Sequence, residues 1–546
     1  MNLNPNYNPY PSHRSVTYGK NGMVATSQPL AAQVGLDILK QGGNAIDAAI
    51  ATAACLTVVE PTSNGIGGDA FTIVWFKDEM HGLNASGPAP KSISIEKVKA
   101  LGKFDQGDQG EKMPTFGWTP VTVPGAPSAW AALSEKFGKL PLSVILEPAI
   151  RYAKEGYPVS PILGHSWNNA YNFYKKKMDE RKYSEWYKTF APRGRAPKVG
   201  EIIKLPDHAR TLEEIAKTKA ESFYRGKLAE KIVDSSKKAG GFLALQDLAD
   251  YYPEWVEPIK INYRGYDVWE LPPNGQGLVA LSALNILKEF SFSSTTRDTV
   301  DTIHKQVEAL KIAFTAGKKA ITDPKLMEQD QISYLLGDAF AKEAVSKIAT
   351  SALDSKASDL AKGGTVYLCT ADSDGNMVSY IQSNYMGFGS GIVIPETGIA
   401  MQNRGADFSL DPNHANALAG GKKTYHTIIP GFLTKDGQGV GPFGVMGGYM
   451  QPQGHVQVIM NTIDFALNPQ MALDAPRFQW LEGKKIELEK NFPTHLASEL
   501  AMRGHDIKIA LSSASFGRGQ VIWRNPENGV FSGATESRCD GSVVAY

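Results

Sequence analysis

From Ser27 to Gly43 the apolar residues Leu30, Val34 and Ile38 recur at helical spacing. The segment reads as a helix capped by Ser27, with Pro29 in its first turn and Gly42-Gly43 as its stop. A second helix follows at once: Asn44 and Asp47 resemble a capping arrangement, and "AIDAAIATAACLTVV" is so apolar that it is expected to pack on most sides. The run "AFTIVWF" that comes next is short, continuous and rich in β-branched and aromatic residues, as a buried strand requires. Polar, helix-prone sequence then dominates from about Pro127 to Ile348, broken by "LPPNGQG" at Leu271 to Gly277, and reads as mainly helical.

The charge-rich "DSKASDLAKGG" from Asp354 to Gly364 reads as an exposed linker, after which the pattern changes to strands. "TVYLCTAD", "MVSYIQS" and "GIVIP" are strand-like, with a turn signal at Ser373 to Asn376 between the first two. "YHTIIPGFLTKDGQGVGPFGVMGG" repeats the plan about a turn at Asp436-Gly437. Two hairpins and two long alanine-rich helices predict sheets covered by helices.

A chain of 546 residues has room for two to four domains or one large intertwined one. Lysine plus arginine nearly cancels aspartate plus glutamate, 57 against 56, so no long-range field favours nucleic acid or an anionic membrane. The expected partner is a small molecule. Cys55, Cys369 and Cys539 form no C-x-x-C pair and are odd in number, which excludes a disulfide framework or zinc ribbon. The N-terminus lacks a signal-type apolar run, and no stretch approaches the roughly 20 apolar residues of a membrane span, so a cytoplasmic location is expected unless an export signal was trimmed.

H-E-x-x-H, a complete P-loop and G-x-S-x-G are all absent. Glycine clusters remain at Gly65 to Asp69, Gly387 to Gly391 and Met446 to Met450, each readable as a tight turn or as a site. More specific is Gly363-Gly364-Thr365, where the linker meets a strand. It has two readings. It can be a glycine hinge before an ordinary edge strand. Alternatively, cutting Gly364-Thr365 would make Thr365 a chain N-terminus, whose α-amine, with a reference pKa of about 8, can take the proton of its own hydroxyl. The same hydroxyl could first attack the Gly364 carbonyl, giving by N-to-O shift an ester that water then cleaves.

Over nearly its whole length, about Gly22 to Tyr546, the sequence resembles the γ-glutamyltranspeptidase family of N-terminal-nucleophile hydrolases. The resemblance is carried by "GKNGMVATSQPLAAQVGLDILKQGGNAIDAAIATAACLTVVEPTSNGIGGD", "VPGAPSAW", "GGTVYLCTADSDGNMVS", "FGSGIVIPETGI", "ADFS" and "MGGYMQPQ", in that order. It implies an α+β fold, a four-layer αββα sandwich, made as one precursor that cuts itself into a large region, 1–364, and a small one, 365–546, forming one intertwined catalytic domain. It implies Thr365 as nucleophile of both self-cleavage and acyl transfer, Ser383 as its supporting hydroxyl, and Gly447 and Gly448 as the oxyanion hole. Neither metal nor organic cofactor is implied; a dimer of the processed pair is an open alternative.

The family's substrate-recognition positions differ in this chain. Ser86 stands where the resemblance implies an arginine for the γ-glutamyl carboxylate, and His426-Thr427 where it implies a serine pair. On the ammonium side, Tyr385 replaces an asparagine, with Asn384 one place away, Arg404 replaces a glutamate or glutamine, and only Asp407 is kept. A fixed cation at 404 opposes a substrate ammonium and favours an acyl group without a free α-amine, one whose carboxylate meets Arg404 or His426. In the competing reading Arg404 points away and Asp407 still holds glutamate. The segment between "ADFS" and "YHT" is shorter than in relatives with a lid loop, which predicts an open site. The expected activity is hydrolysis, with transfer as a lesser outcome, of γ-glutamyl or glutaryl-type amides such as glutathione or cephalosporin side chains. The alternative is a non-processing binding or scaffold protein that retains the fold.

Overall fold

The computed structural model describes residues 14–102, 112–328, 330–355 and 363–546. Most of the expected linker, 356–362, lies outside the described residues.

The helix Ala45–Val59 has all fifteen residues buried, as its alanine content requires, and Asn44 and Asp47 close a capping box at its start. The preceding helix, Pro29–Lys40, departs from expectation: Gln28, not Ser27, is its cap, accepting from the Leu30 N–H at 2.6 Å. Ser27 instead donates to Glu60 Oε2 at 2.5 Å. Its short side chain is spent on a buried carboxylate.

Two antiparallel sheets form the centre. The first runs Ser542–Ala545, Gly22–Thr26, Gly364–Asp372, Met377–Tyr385, Asp69–Phe76, Glu79–Ala85, Glu254–Val256. The second runs Thr17–Gly19, Phe531–Thr535, Arg518–Arg524, Gln438–Met446, Gly431–Lys435, Tyr266–Glu270, Ile259–Tyr263. Both expected hairpins are present, turning where the Ser-Asp-Gly-Asn and Asp-Gly signals stand. Each sheet contains strands from both before and after Gly364.

Alternation along the strands assigns the layers. Val366, Leu368, Val378 and Tyr380 pack outward beneath Ala45–Val59 and the helices beside it. Tyr367, Cys369, Met377 and Ile381 face Phe432, Met446 and Ile522 of the second sheet. Helices Gly277–Leu287, Val300–Ala320 and Met450–Ile463 cover that sheet's far side. The result is the αββα sandwich.

Two expectations need correction. "GIVIP" forms no strand, only the isolated bridge Val393 to Ala400. The segment from about Pro127 to Ile348 is mainly helical but also supplies Glu254–Val256 and the hairpin Ile259–Tyr263/Tyr266–Glu270, the outer strands of the two sheets. Its turn, Arg264-Gly265, has φ of 55° and 85°, the twist a two-residue hairpin needs.

Candidate active site

The strand Gly364–Asp372 opens with a bulge: Gly364 pairs with Tyr385, and Val366 already pairs with Gln382. The extra residue belongs to the partner strand, where Ser383 and Asn384 stand opposite Thr365, and Thr365 and Ser383 both face the inter-sheet side. Thr365 Oγ1 lies 3.0 Å from Ser383 Oγ. Ser383 donates its one hydrogen to the Gly364 carbonyl oxygen, 2.8 Å away, and accepts from the Tyr385 N–H at 2.8 Å. With that hydrogen committed, the Thr365 hydroxyl is the donor between the two, so its oxygen keeps its lone pairs.

The glycines before Thr365 are required by space. A Cβ on Gly364 would stand 2.9 Å from the Gly387 nitrogen. One on Gly363 would stand 3.0 Å from the Tyr385 carbonyl oxygen and 3.4 Å from the Gly448 nitrogen. The cleavage segment therefore lies directly against Gly448, which with Gly447 has φ values, 61° and 144°, that suit glycine. Thr365 is only 1% exposed in this continuous chain.

Arg404 opens the short turn Arg404–Asp407 and is buried. Its Nη1 donates to Thr427 Oγ1 at 2.7 Å and lies 3.4 Å from Asp407 Oδ2. Its guanidinium carbon sits 4.0 Å from the centre of the Tyr385 ring. Among the described residues, Nε and Nη2 have no hydrogen-bond partner, nor do the two side-chain polar atoms of Asn384. Asp407 Oδ1 accepts from Tyr385 OH at 2.7 Å and Tyr449 OH at 3.1 Å. Tyr385 itself has a φ of 75°, a left-handed conformation unusual for a bulky residue. A cavity of about 1350 Å³ opens beside this cluster, lined by Tyr385, Met386, Asp407, Asn416 and Lys318 among others.

Ser86 and His426 do not join it. Ser86 donates to Asn84 Oδ1 at 2.7 Å and accepts from Asn274 Nδ2 at 3.3 Å, a closed buried set. His426 accepts the Ile428 N–H at Nδ1 and donates from Nε2 to Asp69 Oδ2 at 3.0 Å. Burial drives the His426 pKa far below the ordinary histidine value and lifts Asp69 to about 7. The polar side-chain atoms of both residues are taken up within these sets, so the structure offers no support for either as a carboxylate ligand.

Gln276 escapes a sequence reading. From the "LPPNGQG" loop its Nε2 donates to the carbonyl oxygens of Thr427 at 2.6 Å and Gly448 at 2.9 Å. Its Oε1 accepts from Tyr425 OH at 3.0 Å. It thus ties the glycine pair to the strip carrying Thr427; the signal was the loop's unusual Pro-Pro-Asn-Gly-Gln-Gly composition.

Elsewhere, His304, Glu308 and His505 bring ligand-type atoms within 4.8 Å of one another. Glu308 already pairs with Lys311 Nζ at 2.8 Å and accepts from the Leu353 N–H. A dication would enter beside a buried ammonium, which the donor set does not suit. With His304 Nε2 at 2.8 Å from the Ala349 carbonyl, the group fastens 349–353 to the helix Val300–Ala320.

A buried strand-leading hydroxyl residue at the centre of an αββα sandwich defines an N-terminal-nucleophile hydrolase. The chain belongs to the γ-glutamyltranspeptidase family, whose model, described as Gamma-glutamyltranspeptidase, matches residues 31–546. It is similar to the crystal structure of cephalosporin acylase from Bacillus halodurans, with 60% sequence identity and a TM-score of 0.95 over 100% of this chain and 99% of that one. It is 34% identical to the glutathione hydrolase-like YwrD proenzyme of Bacillus subtilis (strain 168), covering 96% of this chain and 98% of that protein. It is also 34% identical to the oxamate amidohydrolase proenzyme of Klebsiella pneumoniae, with the same coverage. The chain is accordingly a self-processing amidohydrolase, a precursor processed into subunits, and the scaffold alternative is not favoured. Among the described residues no helix is long and apolar enough to cross a membrane.

Proposed function

We propose that Thr365 is the nucleophile of an amidohydrolase whose preferred acyl groups end in a carboxylate and carry no free α-amine, such as the glutaryl monoamide of a larger amine. One observation carries the reading: the buried Nε–Nη2 edge of Arg404 offers two parallel donors without a partner, while Asp407 is already engaged. That edge matches the two oxygens of a carboxylate side-on. An ammonium would instead meet a fixed cation. Two relatives fit: one is named for cephalosporins, the other for oxamate, itself the monoamide of a dicarboxylic acid.

In the precursor Thr365 Oγ1 attacks the Gly364 carbonyl as its proton passes to Ser383. The developing oxyanion takes the hydrogen bond from Ser383 and those of the Gly447 and Gly448 N–H groups. Collapse breaks the C–N bond to Thr365 as its nitrogen takes the proton relayed by Ser383, leaving an ester and a free α-amine, and water then releases residues 1–364 from residues 365–546. In the mature enzyme the α-amine takes the hydroxyl proton, Thr365 attacks the substrate amide, and the amine product leaves with that proton. Water resolves the acyl-enzyme along the same path.

Paired turnover of glutaryl and γ-glutamyl p-nitroanilides by the cleaved enzyme tests the reading. The expected result is a higher kcat/KM for the glutaryl compound; clear preference for the γ-glutamyl compound would overturn it. N-terminal sequencing of the smaller fragment should begin at Thr365.

A further inference from the structure

Tyr449 lies immediately after the glycine pair, at the start of the helix Met450–Ile463. Its hydroxyl donates to Asp407 Oδ1 and accepts from Lys318 Nζ, which also lies 3.9 Å from the centre of the Tyr449 ring and 4.8 Å from that of Tyr425. Tyr385 donates to the same carboxylate oxygen, in a strained left-handed backbone conformation. That strain marks a side chain held in place by its surroundings.

Resting on the dicarboxylic-acyl reading above, we propose that Tyr449, backed by Lys318, is a specificity-determining residue that acts together with Tyr385. The two hydroxyls occupy the Asp407 oxygen that would otherwise receive a substrate ammonium. The carboxylate becomes the internal counter-ion of Arg404. Lys318 strengthens the cap, because a cation bonded to the phenol oxygen makes its O–H a better donor toward Asp407. Selection against an α-amine is then a property of three residues, none of which need touch the scissile amide.

Glutarate and L-glutamate differ only by the α-ammonium, so the ratio of their inhibition constants isolates this effect. On the cleaved enzyme, the ratio of the glutamate Ki to the glutarate Ki is expected to exceed one in the wild type. It should fall about tenfold to a hundredfold in Tyr449→Phe, the scale of one charge-assisted hydrogen bond regained by the ammonium, and further in the Tyr385→Phe/Tyr449→Phe double variant. Lys318→Met should move the ratio the same way by a smaller factor. A purely structural role would move both constants together and leave the ratio in place. An unchanged ratio in all three variants, with a wild-type ratio above one, would overturn the cap while sparing the dicarboxylic-acyl reading. A wild-type ratio below one would overturn that reading itself. Cleavage into two chains verifies folding of each variant, and Lys318→Met keeps the test decisive should a tyrosine variant fail to mature.

Discussion

The Ser383 hydroxyl donates to the carbonyl oxygen of Gly364, 2.8 Å away, while standing 3.0 Å from the oxygen that would attack that same carbonyl. One side chain is thus placed both to polarise the bond that the proposed reaction breaks and to receive the nucleophile's proton. Replacing Ser383 with alanine removes both roles without emptying much volume. Self-cleavage should slow by about a hundredfold to a thousandfold, the scale of a lost oxyanion donor, and Ser383→Thr should keep most of the rate. A denaturing-gel time course of precursor conversion measures it. Equal conversion by Ser383→Ala and wild type would remove Ser383 from the reaction.

Arg404 supports a sharper geometric expectation. Lysine preserves the charge but not the two parallel donors of the Nε–Nη2 edge. Arg404→Lys should lower kcat/KM for a glutaryl anilide by about a hundredfold, near 3 kcal/mol, chiefly through KM. A loss below about threefold would show that no carboxylate rests on that edge.

Local chemistry made Thr365 legible as a candidate, because in the proposed reaction nucleophile, base and scissile carbonyl are contiguous in the chain. Hairpins announced by Ser-Asp-Gly-Asn and Asp-Gly were equally plain, whereas the hairpin about Arg264-Gly265 was hidden by its charged outer positions. Substrate recognition was harder for a physical reason. Position shows which residue type stands at a place, but not whether its polar atoms are already spent. Ser86 on Asn84 and His426 on Asp69 are spent, while two donors of Arg404 are not. Gln276 lies 172 residues from the Gly448 it supports, a link no local pattern contains.

Acid should unfold the protein through its buried histidines. His208 is held neutral by burial alone, its pKa lowered from 6.5 to about 4. The unfolded chain therefore binds a proton below pH 6.5 that the native state refuses, so native stability is full above pH 6.5 and falls as pH drops toward 4. The window is worth about 3 kcal/mol for this residue at 1.36 kcal/mol per pH unit. His304, His426 and His505 are lowered in the same direction and add to the slope. Urea denaturation at pH 7, 6, 5 and 4.5 should show the decline, and His208→Gln should flatten it. A variant as acid-sensitive as wild type would remove His208 from the account.

Glu308 and Lys311 are both fully buried, 2.8 Å apart on one face of the helix Val300–Ala320. The pair also binds both backbone groups of Leu353, the carboxylate taking the N–H and the ammonium the carbonyl. Removing one charge leaves the other buried without its partner, so Glu308→Gln and Lys311→Met should each destabilise by about 3–5 kcal/mol in urea titrations. The double variant Glu308→Gln/Lys311→Met should cost less than the sum of the two, since no stranded charge remains. Strict additivity would mean that the two side chains do not act as a pair. Because Leu353 stands only eleven residues before Gly364, the single variants should also slow self-cleavage more than they slow turnover by enzyme already cleaved. Equal slowing of both would leave the pair with a role in stability alone.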